Sequence, residues 1–403
     1  SMPDALKRLL HELQLMVLKI AMKLVSAGQP LLLCGPGSAL QMCRAMADLG
    51  AGKVLIVTDA VLVKLGLIAP LQQALEAHGV ASTVYDGVEP DPTHQQINAG
   101  VVLARQHGCD AVLAVGGGSP MDAAKIIAAC VANDAAVADL VGNFKVKKPP
   151  LPIYAIPTTA GTGSEVTIVA VVTDTGAQTK TPVVDGKLVP LMAALDASLM
   201  TGLPPHITAA TGMDALTHAV ESYISRFANE HTMRLSVAAV KLVFANLARV
   251  CEHGEDLEAR QSMAIASTYA GLAFSRASVG YVHAIAHNLG GIYHTPHGLA
   301  NAIVLPHILD FSRDAAAARL ADLALAIGAG TRSESAAVLA ERFIAKVREL
   351  ALRIGIPEKL DTLRAADVPL IARRALDEAQ GFYPVPRFMN QSECEAVLRK
   401  LLP

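Results

Sequence analysis

The stretch Ala111-Val112-Leu113-Ala114-Val115-Gly116-Gly117-Gly118-Ser119-Pro120-Met121-Asp122-Ala123-Ala124-Lys125 decides the fold. Its five leading apolar residues read as a strand, one of the βα units of a mostly parallel sheet. Three glycines and a serine then turn the chain into an alanine-rich helical pattern. Glycines let a backbone approach a diphosphate closely, and the free N–H groups and dipole of a helix start favour that anion. A dinucleotide is the natural guest, with a tight turn that binds nothing as the alternative. The run is not G-x-G-x-x-G, because Met121 holds the last glycine position, and no Gly-Lys-Ser/Thr follows to make a Walker loop.

Outward from this loop, strand and helix patterns alternate from about residue 30 to 200, with further strands read at 54–58, 153–156 and 166–173. This predicts an α/β domain with a mostly parallel sheet. The character changes at Thr201-Gly202-Leu203-Pro204-Pro205, beyond which the chain is rich in Ala and Leu with helical periodicity. The expected organisation is an N-terminal helix in 1–29, a dinucleotide-binding α/β domain in 30–203 and an all-helical domain in 204–403, with a ligand cleft between the two domains. Two more segments could serve the same ligand. Asp59 closes the strand Val54-Leu55-Ile56-Val57-Thr58, where a carboxylate can accept from an adenosine ribose and repel a 2′-phosphate, which favours NAD over NADP. Capping of the next helix is its other role. The loop Pro157-Thr158-Thr159-Ala160-Gly161-Thr162-Gly163-Ser164-Glu165 is dense in hydroxyls and glycines and suits phosphate or nicotinamide, or merely its own backbone.

The 403 residues are 52% hydrophobic and 17% charged, and 34 Lys+Arg against 36 Asp+Glu leave a net charge of −2, so the chain has no global basic field for nucleic acid or anionic lipid, which counts against nucleic-acid binding. No run reaches about 18 uncharged apolar residues, the length of a spanning helix. Six cysteines without a CxxC pair read as reduced thiols of a cytoplasmic protein. At the N-terminus Leu6, Leu9, Leu13, Val17, Ile20 and Leu24 recur at helical spacing among Lys7, Arg8, His11, Glu12, Lys19 and Lys23. This predicts a basic amphipathic helix that serves an oligomer or interdomain contact, or a membrane surface, and not a signal peptide.

In the helical half, Asp214 and His218 stand four apart, so on a helix they share a face. His283 and His287 repeat the spacing, and His297 follows in Thr295-Pro296-His297-Gly298. Three imidazoles and one carboxylate drawn from these would suit Fe²⁺, Zn²⁺ or another first-row divalent ion, whereas a lone pair would be ordinary satisfied helix histidines.

These residues resemble the iron-containing (group III) alcohol dehydrogenases from about residue 30 to the C-terminus, through Gly116-Gly117-Gly118-Ser119-Pro120-Met121-Asp122 and the segments 157–165, 212–218 and 283–298. The resemblance implies metal ligands Asp214, His218, His283 and His297, with His287 beside the nicotinamide and in proton transfer. The implied catalytic set is His287, Asp214 and His283. Cofactor contacts would come from Asp59, Gly116, Gly117, Gly118, Ser119, Asp122, Thr158, Thr159, Thr162 and Lys180. The implied cofactors are NAD and Fe²⁺, with Zn²⁺ or another divalent ion as substitutes, and the partners are a small alcohol or aldehyde and further copies in a homodimer or larger assembly. Asn288, Arg276 and His294 depart from the family pattern and bear on substrate identity. The rivals are a dehydroquinate-synthase-like lyase that also holds NAD and metal, and a non-catalytic binding protein.

Overall fold

The computed structural model describes residues 2–25 and 28–403; residues 1, 26 and 27, within the N-terminal segment 1–29, lie outside the described residues. The chain forms two compact units, one of Ser26–Leu203 with Glu255–Thr268, the other of Ser1–Val25, Pro204–Gly254 and Tyr269–Pro403.

The first unit carries every strand among the described residues: β1 (Leu31–Cys34), β2 (Lys53–Val57), β3 (Ala81–Tyr85), β4 (Ala111–Gly116), β5 (Gly142–Asn143), β6 (Ile153–Pro157), β7 (Val169–Asp174), β8 (Thr179–Val184) and β9 (Met192–Leu195). Six of them make a sheet in the order β1-β9-β6-β4-β2-β3, each adjacent pair parallel. Strands covered on both faces explain the continuous apolar runs. Leu55, Val57, Val112 and Ala114 face one core while Val54, Ile56, Leu113 and Val115 face another. Each large side chain so buried contributes about 1.5–3 kcal/mol. From β2 the chain goes on to β3, and from β4 it goes to the opposite side, toward β6. The crevice outside the carboxyl ends of β2 and β4 is therefore the switch point at which open α/β sheets bind ligands.

The strand expected at 166–173 is shorter and lies elsewhere. Ser164–Val166 is a short 3-10 turn, and β7 pairs antiparallel with β8 in a separate sheet of order β5-β8-β7. The reason is a buried ammonium. Lys125 Nζ donates to the Thr167 carbonyl and hydroxyl and to the Val169 carbonyl, each at 3.0 Å, and this holds the entry to β7 away from the main ladder.

The second unit is helical. Its N-terminal helix spans Asp4–Leu24, as expected, and within the chain it is a polar face that packs while the apolar row is left exposed. His11 and Leu15 are its buried residues, 1% and 2% exposed, whereas Ile20 and Leu24 are 59% and 82% exposed and Leu6, Leu9, Leu13 and Val17 are also exposed. Polar contacts set this orientation. The Gly381 N–H donates to His11 Nδ1 at 2.9 Å, Gln380 Nε2 to the Lys7 carbonyl at 3.1 Å, and Arg226 pairs with both oxygens of Glu12 at 2.8 Å. Among the described residues no helix is long and apolar enough to cross a membrane.

Candidate metal centre and dinucleotide loop

Three helices of the second unit carry the clustered imidazoles and carboxylate. Pro205–Ile224 holds Asp214 and His218 on one face, Tyr281–Tyr293 holds His283 and His287, and His297–Ser312 begins at His297. The reversal between the last two runs through His294, left-handed at φ 57°, and Pro296, which precedes His297. Gly298 lets the His297 helix start against the backbone of the Asp214 helix, because a Cβ there would overlap the Ala210 carbonyl.

One ligand atom from each of Asp214, His218, His283 and His297 falls in a group whose members all lie within 4.8 Å of one another. Asp214 Oδ1 is 3.6 Å from His218 Nε2, 3.6 Å from His283 Nε2 and 3.3 Å from His297 Nε2. Ligands about 2.0–2.1 Å from a tetrahedral ion stand roughly 3.4 Å apart, so this spacing fits a divalent cation. The donor set, three imidazoles and a carboxylate, suits ferrous iron or zinc. Burial by itself pushes the Asp214 carboxyl up, but His218 and His297 beside it, with hydrogen bonds from His283 and His297, outweigh this and hold it well below the usual range. His283 is lowered by burial and raised by the adjoining Glu221 carboxylate and Asp214, with the net result at about 9. Burial lowers His297.

Several residues around this group had not been singled out in the sequence. Glu221 Oε2 is 2.6 Å from His283 Nδ1, which leaves Nε2 directed at Asp214, and its other oxygen accepts from the Val282 N–H at 2.9 Å. Glu221 lies one turn beyond His218 on the face that carries Asp214, and that spacing was legible. Asn301, one turn after His297 and fully buried, donates to Asp214 Oδ1 at 2.8 Å. Phe274 stacks on His218 with centroids 4.2 Å apart. His287 is outside the four-residue group. Its ring stacks on His297 at 5.5 Å, and its Nδ1 is 2.9 Å from Glu378 Oε2, which also accepts from the Tyr383 hydroxyl at 2.8 Å. Glu378 comes from 91 residues away, beyond the reach of any local pattern.

The glycine loop lies in the first unit, where Gly116 pairs in register with Pro157 and sets it beside the loop 157–165. Gly117 precedes the helix Gly118–Asn133 with no side-chain cap, so the first N–H groups of that helix have no capping side chain. The glycines are required by crowding. A Cβ on Gly118 would come 2.7 Å from Thr162 Cγ2, and one on Gly116 2.6 Å from Pro120 Cγ. Thr159 Oγ1 would be 3.3 Å from a Cβ on Gly117, and the Thr158 N–H donates to the Gly116 carbonyl at 2.9 Å, so these residues form one surface.

Other residues of the expected cofactor set have partners inside the protein. Asp59 caps the helix Ala60–Lys64 by accepting from the Leu62 N–H at 2.9 Å. Asp122 accepts from the Ser164 hydroxyl at 2.7 Å and the Val171 N–H at 3.0 Å, which ties the helix to the loop and to β7. Ser119 Oγ accepts from the Asp91 N–H at 3.2 Å, and Lys180 Nζ is 2.7 Å from the Asp91 carboxylate.

Comparison with known proteins identifies the family. Residues 30–197 match the family profile described as iron-containing alcohol dehydrogenase, and residues 208–402 match that of the C-terminal domain of the Fe-containing alcohol dehydrogenase family. The 1,3-propanediol dehydrogenase of Klebsiella pneumoniae is 40% identical over 91% of this chain and 95% of its own length. The NAD-dependent methanol dehydrogenase of Bacillus methanolicus is 37% identical over 87% and 92%. A crystal structure of 1,3-propanediol oxidoreductase superposes with a TM-score of 0.91 at 38% identity, covering 94% of this chain and 99% of the other.

Proposed function

The chain belongs to the iron-containing alcohol dehydrogenase family, and from that premise we propose that it transfers a hydride between a primary alcohol, or its aldehyde, and NAD. The observation that carries the proposal is the set Asp214, His218, His283 and His297, spaced for one divalent ion in a chain of this family. Bound at these residues and at the glycine loop, ferrous iron would supply Lewis acidity to a substrate oxygen and NAD would supply the hydride acceptor.

Asp214 brings the single negative charge of the ligand set, and the Asn301 amide keeps that carboxylate oriented. Glu221 holds the His283 ring in the tautomer whose Nε2 faces the group, the usual part of a carboxylate behind a ligating histidine. His287 is in our proposal the proton carrier, with Nε2 the accepting atom in alcohol oxidation. The backbone N–H groups of Gly117, Gly118 and Ser119 receive the diphosphate, with Thr158, Thr159 and Thr162 along its flank. Asp59 retains one carboxylate oxygen for a ribose, and Asp122 acts by holding the loops.

The proposal extends to a cytoplasmic homo-oligomer that engages no nucleic acid. Its supports are six free cysteines, a net charge of −2, and the exposed apolar row on the N-terminal helix. The test is NADH formation by protein reconstituted anaerobically with Fe²⁺, across a panel of primary alcohols and diols that begins with methanol and 1,3-propanediol, beside a chelated control. Iron-dependent NADH is expected. Bound metal and NAD without net NADH from any alcohol, or NAD⁺ from any aldehyde, would contradict the proposal and transfer the chain to the lyase class.

A further inference from the structure

We propose that Glu378 is the positioning residue for His287, and that the N-terminal helix is the brace that keeps it in place. The inference rests on the proton-transfer role given to His287 above. Glu378 lies near the end of the helix Val368–Ala379 and sets its Oε2 2.9 Å from His287 Nδ1. The same oxygen accepts from the Tyr383 hydroxyl at 2.8 Å. Burial, then Glu378, push the Tyr383 phenol well above its ordinary value, so it stays a donor. With the carboxylate as acceptor, His287 Nδ1 must carry the proton, and Nε2 is left with the lone pair that proton abstraction needs.

The two residues that follow this helix are tied to the N-terminal helix by three hydrogen bonds. Gln380 Nε2 donates to the Lys7 carbonyl at 3.1 Å and to Gln14 Oε1 at 3.3 Å, and the Gly381 N–H donates to His11 Nδ1 at 2.9 Å. Gly381 is left-handed at φ 75°, a turn that brings the chain from Glu378 round to Tyr383. The N-terminal helix, Asp4–Leu24, precedes the first family match at residue 30. A helix outside the family-matched residues is thus bonded to the two residues that follow the Glu378 helix.

The test is a double-substitution cycle in the iron-reconstituted full-length enzyme. Glu378→Gln lowers kcat on the order of ten- to a hundred-fold, with KM, bound iron and Tm unchanged, and adds no further loss to His287→Gln. A loss that persists in the His287→Gln background, or that shows in KM or bound iron, overturns the positioning role. Full activity of His287→Gln alone overturns instead the proton-transfer role on which it rests.

A second readout does not depend on turnover. In zinc-substituted protein carrying 15N-histidine, the ring missing from His287→Gln shows a protonated Nδ1, and Glu378→Gln shifts it toward the Nε2–H tautomer. An unchanged tautomer overturns the proposal. Deleting residues 2–25, or replacing Gln380 with Ala where the deletion fails to fold, shifts the same signal and lowers kcat several-fold. Wild-type signal and rate in the variant would overturn the brace.

Discussion

At the scale of single residues, the site is a set of buried polar groups whose partners decide their chemistry. Asp214, only 2% exposed, is tolerable because three imidazoles and an amide surround it. Glu221 acts one bond farther out, on His283 Nδ1. Glu221→Gln is expected to weaken iron binding on the order of ten- to a hundred-fold, measured by competition with a chromogenic chelator; wild-type affinity would show that the carboxylate plays no part in holding His283. Of the proposed ligands, Asp214, His218 and His283 were legible in the helical spacing of Asp214/His218 and His283/His287, whereas the choice of His297 over His287 came only from the family resemblance. Asn301 and Glu378 were not legible, since an Asn or a Glu on a helix is ordinarily solvent-facing and only tertiary packing brings these two to their partners.

At the scale of elements, glycine and proline placement sets how closely the helices approach. Gly298→Ala would force the His297 helix off the Asp214 helix, because the obstacle is the Ala210 backbone and not a movable side chain. A loss of about 1–3 kcal/mol in stability is expected from such overpacking, accompanied by weaker iron retention; denaturant unfolding together with metal analysis checks both, and unchanged midpoint and iron content would contradict it. The N-terminal helix shows how much of its packing periodicity leaves unsaid. Its apolar row stays exposed, and the contacts within the chain are made by His11, Glu12 and the Lys7 carbonyl, which the apolar spacing does not mark. Burial lowers His11 from 6.5, so the docked helix binds fewer protons than the free one in the interval below 6.5, and docking weakens as pH falls through it. The Arg226 pair lowers Glu12, whose contribution is full above 4.5 and is lost as pH falls through its lowered value, so both groups act in one direction. The chain has no tryptophan, and Phe388 packs 5.6 Å from His11, so Phe388→Trp fluorescence reports the docking. A change between pH 7.5 and 5, absent when His11→Asn is added, is the expected outcome; a flat trace would contradict it.

At the scale of the whole molecule, strand periodicity, the glycine run and the change of character after residue 200 carried the α/β sheet and the helical half. They could not carry the strand order, which depends on pairings such as Leu31 with Met192 across most of the sheet-bearing unit. Nor could they foresee that Lys125 would draw the segment before β7 out of the main sheet, because a lysine in a helix reads as a solvated face. The loop 157–165 was legible as a partner of Gly116, Gly117 and Gly118, and the parallel register of β4 with β6 supplies the reason they meet. Whether iron at Asp214, His218, His283 and His297 drives turnover is decided by titrating the chelated protein anaerobically with Fe²⁺ while bound iron and the rate of NADH formation are followed together. The rate is expected to rise in proportion to iron and to level off at one ion per chain, and His283→Ala to lose both iron and turnover. A full rate in iron-free protein, or in His283→Ala without bound metal, would contradict it.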